Sequence, residues 1–152
     1  MDKVKYESLS LRPVVPEAGA EDYLLVLTED GVRRLHSGRA AVETEDDTAT
    51  VLDTFVLADN SAVLITGVVV AINDSGLSKA WRYVVHAVRG ANAAATALAS
   101  SPDVEDLSVM AGTAGWLLEI DVNTTDGSVE FAVTGASEDI RWTNQKSFVT
   151  VA

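Results

Sequence analysis

The side chains that could do chemistry are few in this sequence and far apart. Its two histidines, His36 and His86, stand alone in separate strand-like segments, and the chain has no cysteine. A zinc site needs several such ligands at close spacing, so we interpret both histidines as structural or surface residues. No Gly-x-Ser-x-Gly elbow, glycine-rich phosphate loop or dinucleotide fingerprint occurs. The sequence therefore predicts a protein that is not an enzyme, with no catalytic residue, cofactor or metal.

Two acidic clusters could offer carboxylates to calcium. They are ETEDD at residues 43–47 and DVED at residues 103–106. Neither has the ligand spacing and glycine of an EF-hand loop. We therefore expect both to be solvated acidic loops.

The three tryptophans could form a platform that stacks on a sugar ring. Trp81 belongs to the apolar face of an alternating segment and Trp116 opens an apolar one, so we predict that both lie in the core. Trp142, between Arg141 and Thr143, is left open between core and surface.

Composition limits the classes of partner. Eleven basic and 23 acidic residues give a formal charge of −12, which repels nucleic acid and anionic membrane surfaces. No apolar run reaches the length of a membrane helix, and the start of the chain lacks the apolar core of a signal peptide. The sequence predicts a protein of one core, made in the cytoplasm, that binds neither nucleic acid nor membrane.

Short apolar runs rich in valine, separated by turn residues such as ADNS and NDSG, are typical of strands. They predict an all-β fold, an antiparallel β-sandwich, with a jelly roll as the favoured arrangement. Residues 91–101 are alanine-rich and are left open between a strand or ordered loop and a short helix. The predicted strands of the main domain are Thr48–Leu57, Ala62–Ile72, Leu77–Val88, Leu107–Ala111, Trp116–Val122, Val129–Val133 and Ile140–Val151.

Alternation indicates which faces of two strands point inward. Within residues 80–88 of KAWRYVVHAVR, Arg82 and His86 fall outside one set, and in SVEFAV one set is wholly apolar. The sequence predicts that the core takes Trp81, Tyr83, Val85 and Ala87 from the first strand and Val129, Phe131 and Val133 from the second.

The first 42 residues differ from the rest of the chain. Pro13 and Pro16 favour an extended arm, and two short runs, Tyr23–Thr28 and Val32–His36, flank an Asp30-Gly31 turn that is typical of a hairpin. These residues hold six basic and seven acidic side chains, so most of the negative charge lies beyond them. We predict an anchoring arm and hairpin at residues 1–42 and a β-sandwich domain at residues 43–152.

The main domain resembles a β-sandwich module of structural proteins in tailed bacteriophages. The resemblance covers about residues 48–151 and rests on TATVLDTFVLADNSAVLITGVVVAI, GLSKAWRYVVHAVRG, AGWLLEIDV and GSVEFAVTGASEDIRWTNQKSFVTV. The chain departs from the module's pattern at residues 90–107, which are alanine-rich. The resemblance implies a virion structural protein and gives the final hairpin a role in folding; its matching positions are Val129, Phe131, Val133, Gly135, Ala136, Ile140 and Trp142.

The resemblance leaves two virion roles open. The first is a capsid decoration, or cement, protein that docks on the major capsid protein or another virion protein, as a homo-oligomer with a trimer favoured over a dimer. The second is a tail fibre or receptor-binding subunit that recognises a host surface glycan or protein. A free-standing carbohydrate-binding module is the third possibility. Small size and the lack of a repetitive shaft favour decoration.

The predicted docking surface is apolar and lies in the N-terminal segment. Burial of several apolar side chains, each contributing roughly 1.5–3 kcal/mol, could hold a subunit to a lattice. The residues predicted to dock are Leu9, Leu11, Val14 and Val15 in the arm and Tyr23, Leu25 and Leu35 in the hairpin.

Overall fold

The computed structural model describes residues 22–28 and 31–152, with side chains described from residue 38 onward. The described chain is built almost wholly of strands, with one short 3-10 turn at Ala93–Ala95. No helix in this part of the chain is long and apolar enough to cross a membrane. The strands are β1 (Asp22–Thr28), β2 (Gly31–Thr44), β3 (Thr50–Val56), β4 (Ser61–Asn73), β5 (Ser78–Arg89), β6 (Thr96–Leu98), β7 (Asp103–Val109), β8 (Leu117–Asn123), β9 (Ser128–Thr134) and β10 (Ile140–Val151).

The strands form two antiparallel sheets. The large sheet has the order β1-β2-β10-β4-β5-β6, and β7 also pairs with β5. The small sheet has the order β3-β9-β8. The prediction of an all-β, antiparallel sandwich is confirmed, whereas the finer assignment as a jelly roll stays a prediction.

The core lies between the sheets and takes the predicted faces of β5 and β9. Trp81, Tyr83, Val85 and Ala87 are buried, while Arg82 and His86 on the opposite face of β5 are exposed. On β9 the predicted Val129, Phe131 and Val133 are buried as well. The two-residue period therefore identified both inner faces correctly.

Ser128 alternates with the predicted core residues of β9, so the sequence places it on the solvent side of the strand, but it is buried. Ser128 pairs with Val56 on one side and Asn123 on the other, and its side chain is shielded from solvent. We attribute this to its short side chain in the middle strand of the small sheet, where longer neighbours flank it.

All three tryptophans are core residues. Trp142 stacks on Trp81 with ring centroids 5.6 Å apart, and Trp116 lies 6.0 Å from Trp142. The predictions for Trp81 and Trp116 are confirmed, and Trp142, left open from the sequence, is fully buried. Its indole Nε1 donates a hydrogen bond of 2.9 Å to the Thr44 hydroxyl.

The alanine-rich segment and the strand after it differ in part from expectation. Residues 91–101 form the 3-10 turn at Ala93–Ala95 and the short strand β6. β7 begins at Asp103 rather than at Leu107, so the DVED cluster lies in a strand and not in a loop. Every residue of β7 is exposed, and an edge strand without a buried face leaves no alternation to read.

The hairpin predicted around Asp30-Gly31 is present in the backbone, where β1 pairs with β2 from Asp22↔Ser37 to Thr28↔Gly31. β2 then runs on to Thr44 and pairs with β10 from Phe148↔His36 to Ile140↔Thr44. This strand passes through the predicted boundary at residue 42, and the division into anchor and domain stays a prediction.

Candidate docking surfaces

A buried polar network ties the two sheets together. The Lys146 ammonium and the Asn144 amide, both on β10, donate to Asp53 Oδ2 at 2.6 and 2.8 Å. The Tyr83 hydroxyl donates to Asn144 Oδ1 at 2.8 Å, and Thr54 N donates to Asp53 Oδ1 at 2.8 Å. The Lys146 and Asp53 side chains are only 10% and 9% exposed, so these groups are engaged with one another rather than offered to a substrate.

Local backbone geometry places the side chains of this network within hydrogen-bonding distance of one another. The pairing of β3 with β9 shifts between Val51 and Asp53, and such a bulge can re-aim a side chain; Leu52 is buried and Asp53 is largely shielded. Gly67 on β4 leaves room for the Tyr83 ring, because a Cβ at this position would collide with the Tyr83 hydroxyl. Burial is the main cause that raises the pKa of Tyr83 well above its usual value.

Two further cationic side chains, Arg89 and Lys79, are also held by contacts within the protein. Arg89 Nη1 donates to the Leu57 carbonyl at 2.8 Å and Arg89 Nη2 pairs with Asp59 at 2.7 Å. Lys79 Nζ donates to the Trp116 carbonyl at 3.1 Å and lies 4.8 Å from the centre of the Trp81 ring. Both side chains fasten loops to β5.

The residues considered as ligands from the sequence are not brought together. His86 is exposed on β5, and Asp46 and Asp47 are exposed in the turn after β2. Among residues 38–152, no three His, Cys, Asp or Glu side chains lie close enough together to hold a metal ion.

The outer face of the large sheet carries an apolar stripe, which we define as Leu64, Val68, Val70 and Ile72 of β4, all exposed. No charged residue lies anywhere in β4. The neighbouring strand β10 extends the stripe with the exposed Val149 and Val151. The sequence signal for this surface is that β4 is apolar on both faces apart from Thr66, a pattern typical of strands covered on both sides.

Ion pairs border the apolar stripe. Arg82 pairs with Glu105 on one side, and Arg141 pairs with Asp74 at one end. An apolar centre with a charged rim is the usual composition of a protein–protein interface. This face is therefore suited to docking on another protein.

The outer face of the small sheet has the opposite character. Glu119 and Asp121 of β8 pair with Ala132 and Glu130 of β9, so all three carboxylates share one face. No described ion pair involves any of them. The outer face of the small sheet thus carries carboxylates beside the exposed Val51 and Leu117, whereas the apolar stripe carries no charge.

An open groove lies where the edges of the two sheets meet. Its volume is about 460 Å³. We define it by Pro102, which precedes β7, by Val104 of β7, and by Glu119, Ile120, Asp121 and Glu130 from the small sheet. Neither its position nor its lining was predicted from the sequence, because it depends on which strands form the sheet edges.

Only some of the predicted docking residues lie in the part of the chain that the structure describes. Leu9, Leu11, Val14 and Val15 lie outside the described residues. In the backbone register Tyr23 pairs with His36, Leu25 with Arg34, and Leu35 with Leu24. Strand alternation therefore puts positions 23 and 25 on one face of the hairpin and position 35 on the other, so the three hairpin residues do not form one continuous surface.

The hairpin also runs beyond the large sheet. The pairing of β2 with β10 starts at His36, and in the described part of the chain residues 31–35 pair only with β1. A two-stranded hairpin by itself is marginally stable, so this segment is suited to packing against a partner.

Comparison of the chain with protein-family models and with curated proteins gives no match.

Proposed function

We propose that this chain is a non-enzymatic structural protein of a bacteriophage virion, a capsid decoration protein that docks on the head shell through its N-terminal segment and stabilises it. Made in the host cytoplasm, it would join the virion by binding the major capsid protein or another shell protein. The resemblance of residues 48–151 to a phage β-sandwich module supports this role.

The observation that carries the proposal is the difference between the two faces of the sandwich. The apolar stripe, including Leu64 and Val68, has no charge and is bordered by ion pairs. The opposite face carries Glu119, Asp121 and Glu130. A subunit that covers a surface needs one face that buries apolar area and one that stays hydrated.

The projecting hairpin supports the same orientation. It extends from the edge of the large sheet, where β2 has not yet joined β10 before His36, and it carries the predicted docking positions Tyr23 and Leu25 on one face and Leu35 on the other. A hairpin that lacks a third strand gains stability when a neighbouring protein covers it. The hairpin and the apolar stripe would thus contact the shell together.

The interior supports a structural role over a catalytic one. Lys146, Asp53, Asn144 and Tyr83 bond to one another, and their bonds cross from one sheet to the other. A subunit that reinforces a shell benefits from such a rigid body, because contacts repeated over a lattice strengthen it only if each subunit keeps its shape.

The open groove favours an alternative function. A tail fibre or receptor-binding subunit would bind a host glycan or protein in such a cleft, and the groove combines polar carboxylates with the apolar Val104. Decoration remains the better supported role, because the apolar stripe and hairpin form a larger surface that requires a partner.

Copy number and location test the proposal. A decoration protein should be present in on the order of hundreds of copies per virion, since it repeats with the capsid lattice, and electron microscopy of purified particles should place it on the head. Deletion of residues 1–16 should leave a folded sandwich that no longer binds capsids. A few copies on the tail, or purified protein that blocks adsorption of phage to cells, would instead support the receptor-binding role.

A further inference from the structure

The small sheet ends at β8 with an open edge. Among the described residues β8 pairs only with β9, so the main-chain groups on its other side have no ladder partner. An open strand edge is a template for another extended segment. The open groove runs along this edge, since three consecutive residues of β8, from Glu119 to Asp121, line it.

The large sheet extends past this edge. Val104 of β7 pairs with Tyr83 of β5 and so shares the inner face of the large sheet, yet Val104 is 37% exposed whereas Tyr83 is fully buried. Within the described part of the chain, the small sheet therefore has no strand opposite β7. One more strand beside β8 would cover Val104 and complete the sandwich.

The groove also defines the charge of the strand that would fit it. Glu119 and Asp121 are two residues apart on the outer face of β8. A strand added beside β8 would place side chains two residues apart next to this pair of carboxylates. A strand that fits beside β8 would therefore carry two cationic side chains two residues apart, with apolar residues at the alternating positions.

This chain contains such a segment. KVKY, residues 3–6, puts Lys3 and Lys5 on one face of an extended strand and Val4 and Tyr6 on the other. Residues 1–16 hold three basic and two acidic side chains in a chain whose formal charge is −12.

We propose that residues 3–6 of one copy add to β8 of a neighbouring copy, as the fourth strand of that copy's small sheet. Val4 and Tyr6 would then face Val104, while Lys3 and Lys5 would meet Glu119 and Asp121. This contact between copies goes beyond the docking function proposed above and does not depend on it.

The register favours a neighbouring copy as the donor. One row of paired residues crosses the large sheet from the start of β1 to the groove, through Asp22, Ser37, Ser147, Thr66, Val84 and Asp103. The two ends of this row are five strand intervals apart, or about 24 Å at the usual spacing. An arm from the same copy is long enough to span this distance, but it would have to lie across this whole face, whereas an arm donated head to tail needs no such path and can close into a ring such as a trimer.

A charge-swap experiment on the full chain tests the proposal by sedimentation velocity and light scattering. The wild type should self-associate. The variants Lys3→Glu with Lys5→Glu and Glu119→Lys with Asp121→Lys should each associate roughly tenfold more weakly, because each places like charges across the new strand pair. Mixing the two variants should restore association through arms of one and grooves of the other.

The matched control is Glu45→Lys with Asp47→Lys. It makes the same charge change as the β8 variant, at two exposed residues of the turn after β2, and should associate like the wild type. A monomeric wild type would overturn the proposal, and so would association that is insensitive to both variants or a mixture that stays dissociated. Because no capsid is present in this experiment, its failure is distinct from failure of the decoration role.

Discussion

The Lys146 ammonium lies 2.6 Å from Asp53 Oδ2, and this ion pair joins β10 of the large sheet to β3 of the small sheet. Asn144, two residues earlier on β10, bonds the same carboxylate oxygen and also accepts a hydrogen bond from Tyr83. Residues of three strands, β3, β5 and β10, thus belong to one network around this carboxylate. The network fixes the relative position of the two sheets, which apolar packing alone would leave less specific.

Asp53→Asn should destabilise the protein by about 3–5 kcal/mol, because it leaves the Lys146 ammonium buried without its counter-charge. Lys146→Met should cost less, since Asp53 keeps the donors Asn144 Nδ2 and Thr54 N. Urea unfolding measures both values. As a control, Arg82→Ala removes an exposed ion pair and should change stability by less than about 1 kcal/mol. Equal losses for Asp53→Asn and Arg82→Ala would contradict a buried, coupled network.

Gly67→Ala should destabilise the protein by about 1–3 kcal/mol, as expected for overpacking. The added methyl group would collide with the Tyr83 hydroxyl and the Gln145 carbonyl, and the fully buried Tyr83 ring has little room to move. Thermal unfolding measures the effect. Gly115→Ala is the matched control, because nothing lies within 4 Å of the Cβ position there; similar losses at both positions would argue against this close packing.

Stability should fall at high pH because of Tyr83. Burial raises the pKa of this phenol above the ordinary value of 10.0, so the folded protein holds the proton more tightly than the unfolded chain does. The stabilisation is fully present below pH 10 and is lost as the pH rises above it. Urea unfolding across this range should show the decline in the wild type and a weaker one in Tyr83→Phe. Identical pH profiles would show that Tyr83 titrates normally.

The apolar stripe should be needed for docking but not for folding. Val68→Lys with Val70→Lys places two charges on an exposed face, so stability should change by only about 0.5 kcal/mol per site. Binding to capsids that lack the protein should weaken by roughly tenfold or more, because charge is depleted at interface cores. Cosedimentation with purified capsids measures this binding.

The control for the stripe is Val51→Lys with Val56→Lys, at two exposed valines of the small sheet. It adds the same charge on β3, away from the stripe, and should leave binding to capsids unchanged. If both double variants bind capsids as the wild type does, the apolar stripe is not the docking face.

Local patterns in the sequence were enough to predict the strands with a buried face. Alternation assigned Trp81 and Tyr83 of β5 to the core, and the Asp30-Gly31 turn located the first hairpin. The exposed edge strand β7 was placed too late, because it has no apolar period. The network at Asp53 was missed since it joins residues about 90 positions apart, although Asn144 and Lys146 share the face of Trp142 and that spacing was a readable signal. The open groove depends on strand order, which no local pattern encodes.

The position of β10 in the large sheet has a consequence for synthesis. β10 lies between β2 and β4 and pairs with both, so those two earlier strands cannot be bridged until residues 140–151 have left the ribosome. Until then a nascent chain keeps two unsatisfied sheet edges and lacks Trp142 in its interior. Translation that stops before residue 140 should therefore yield an aggregation-prone, protease-sensitive product, because β10 fills the middle of the large sheet.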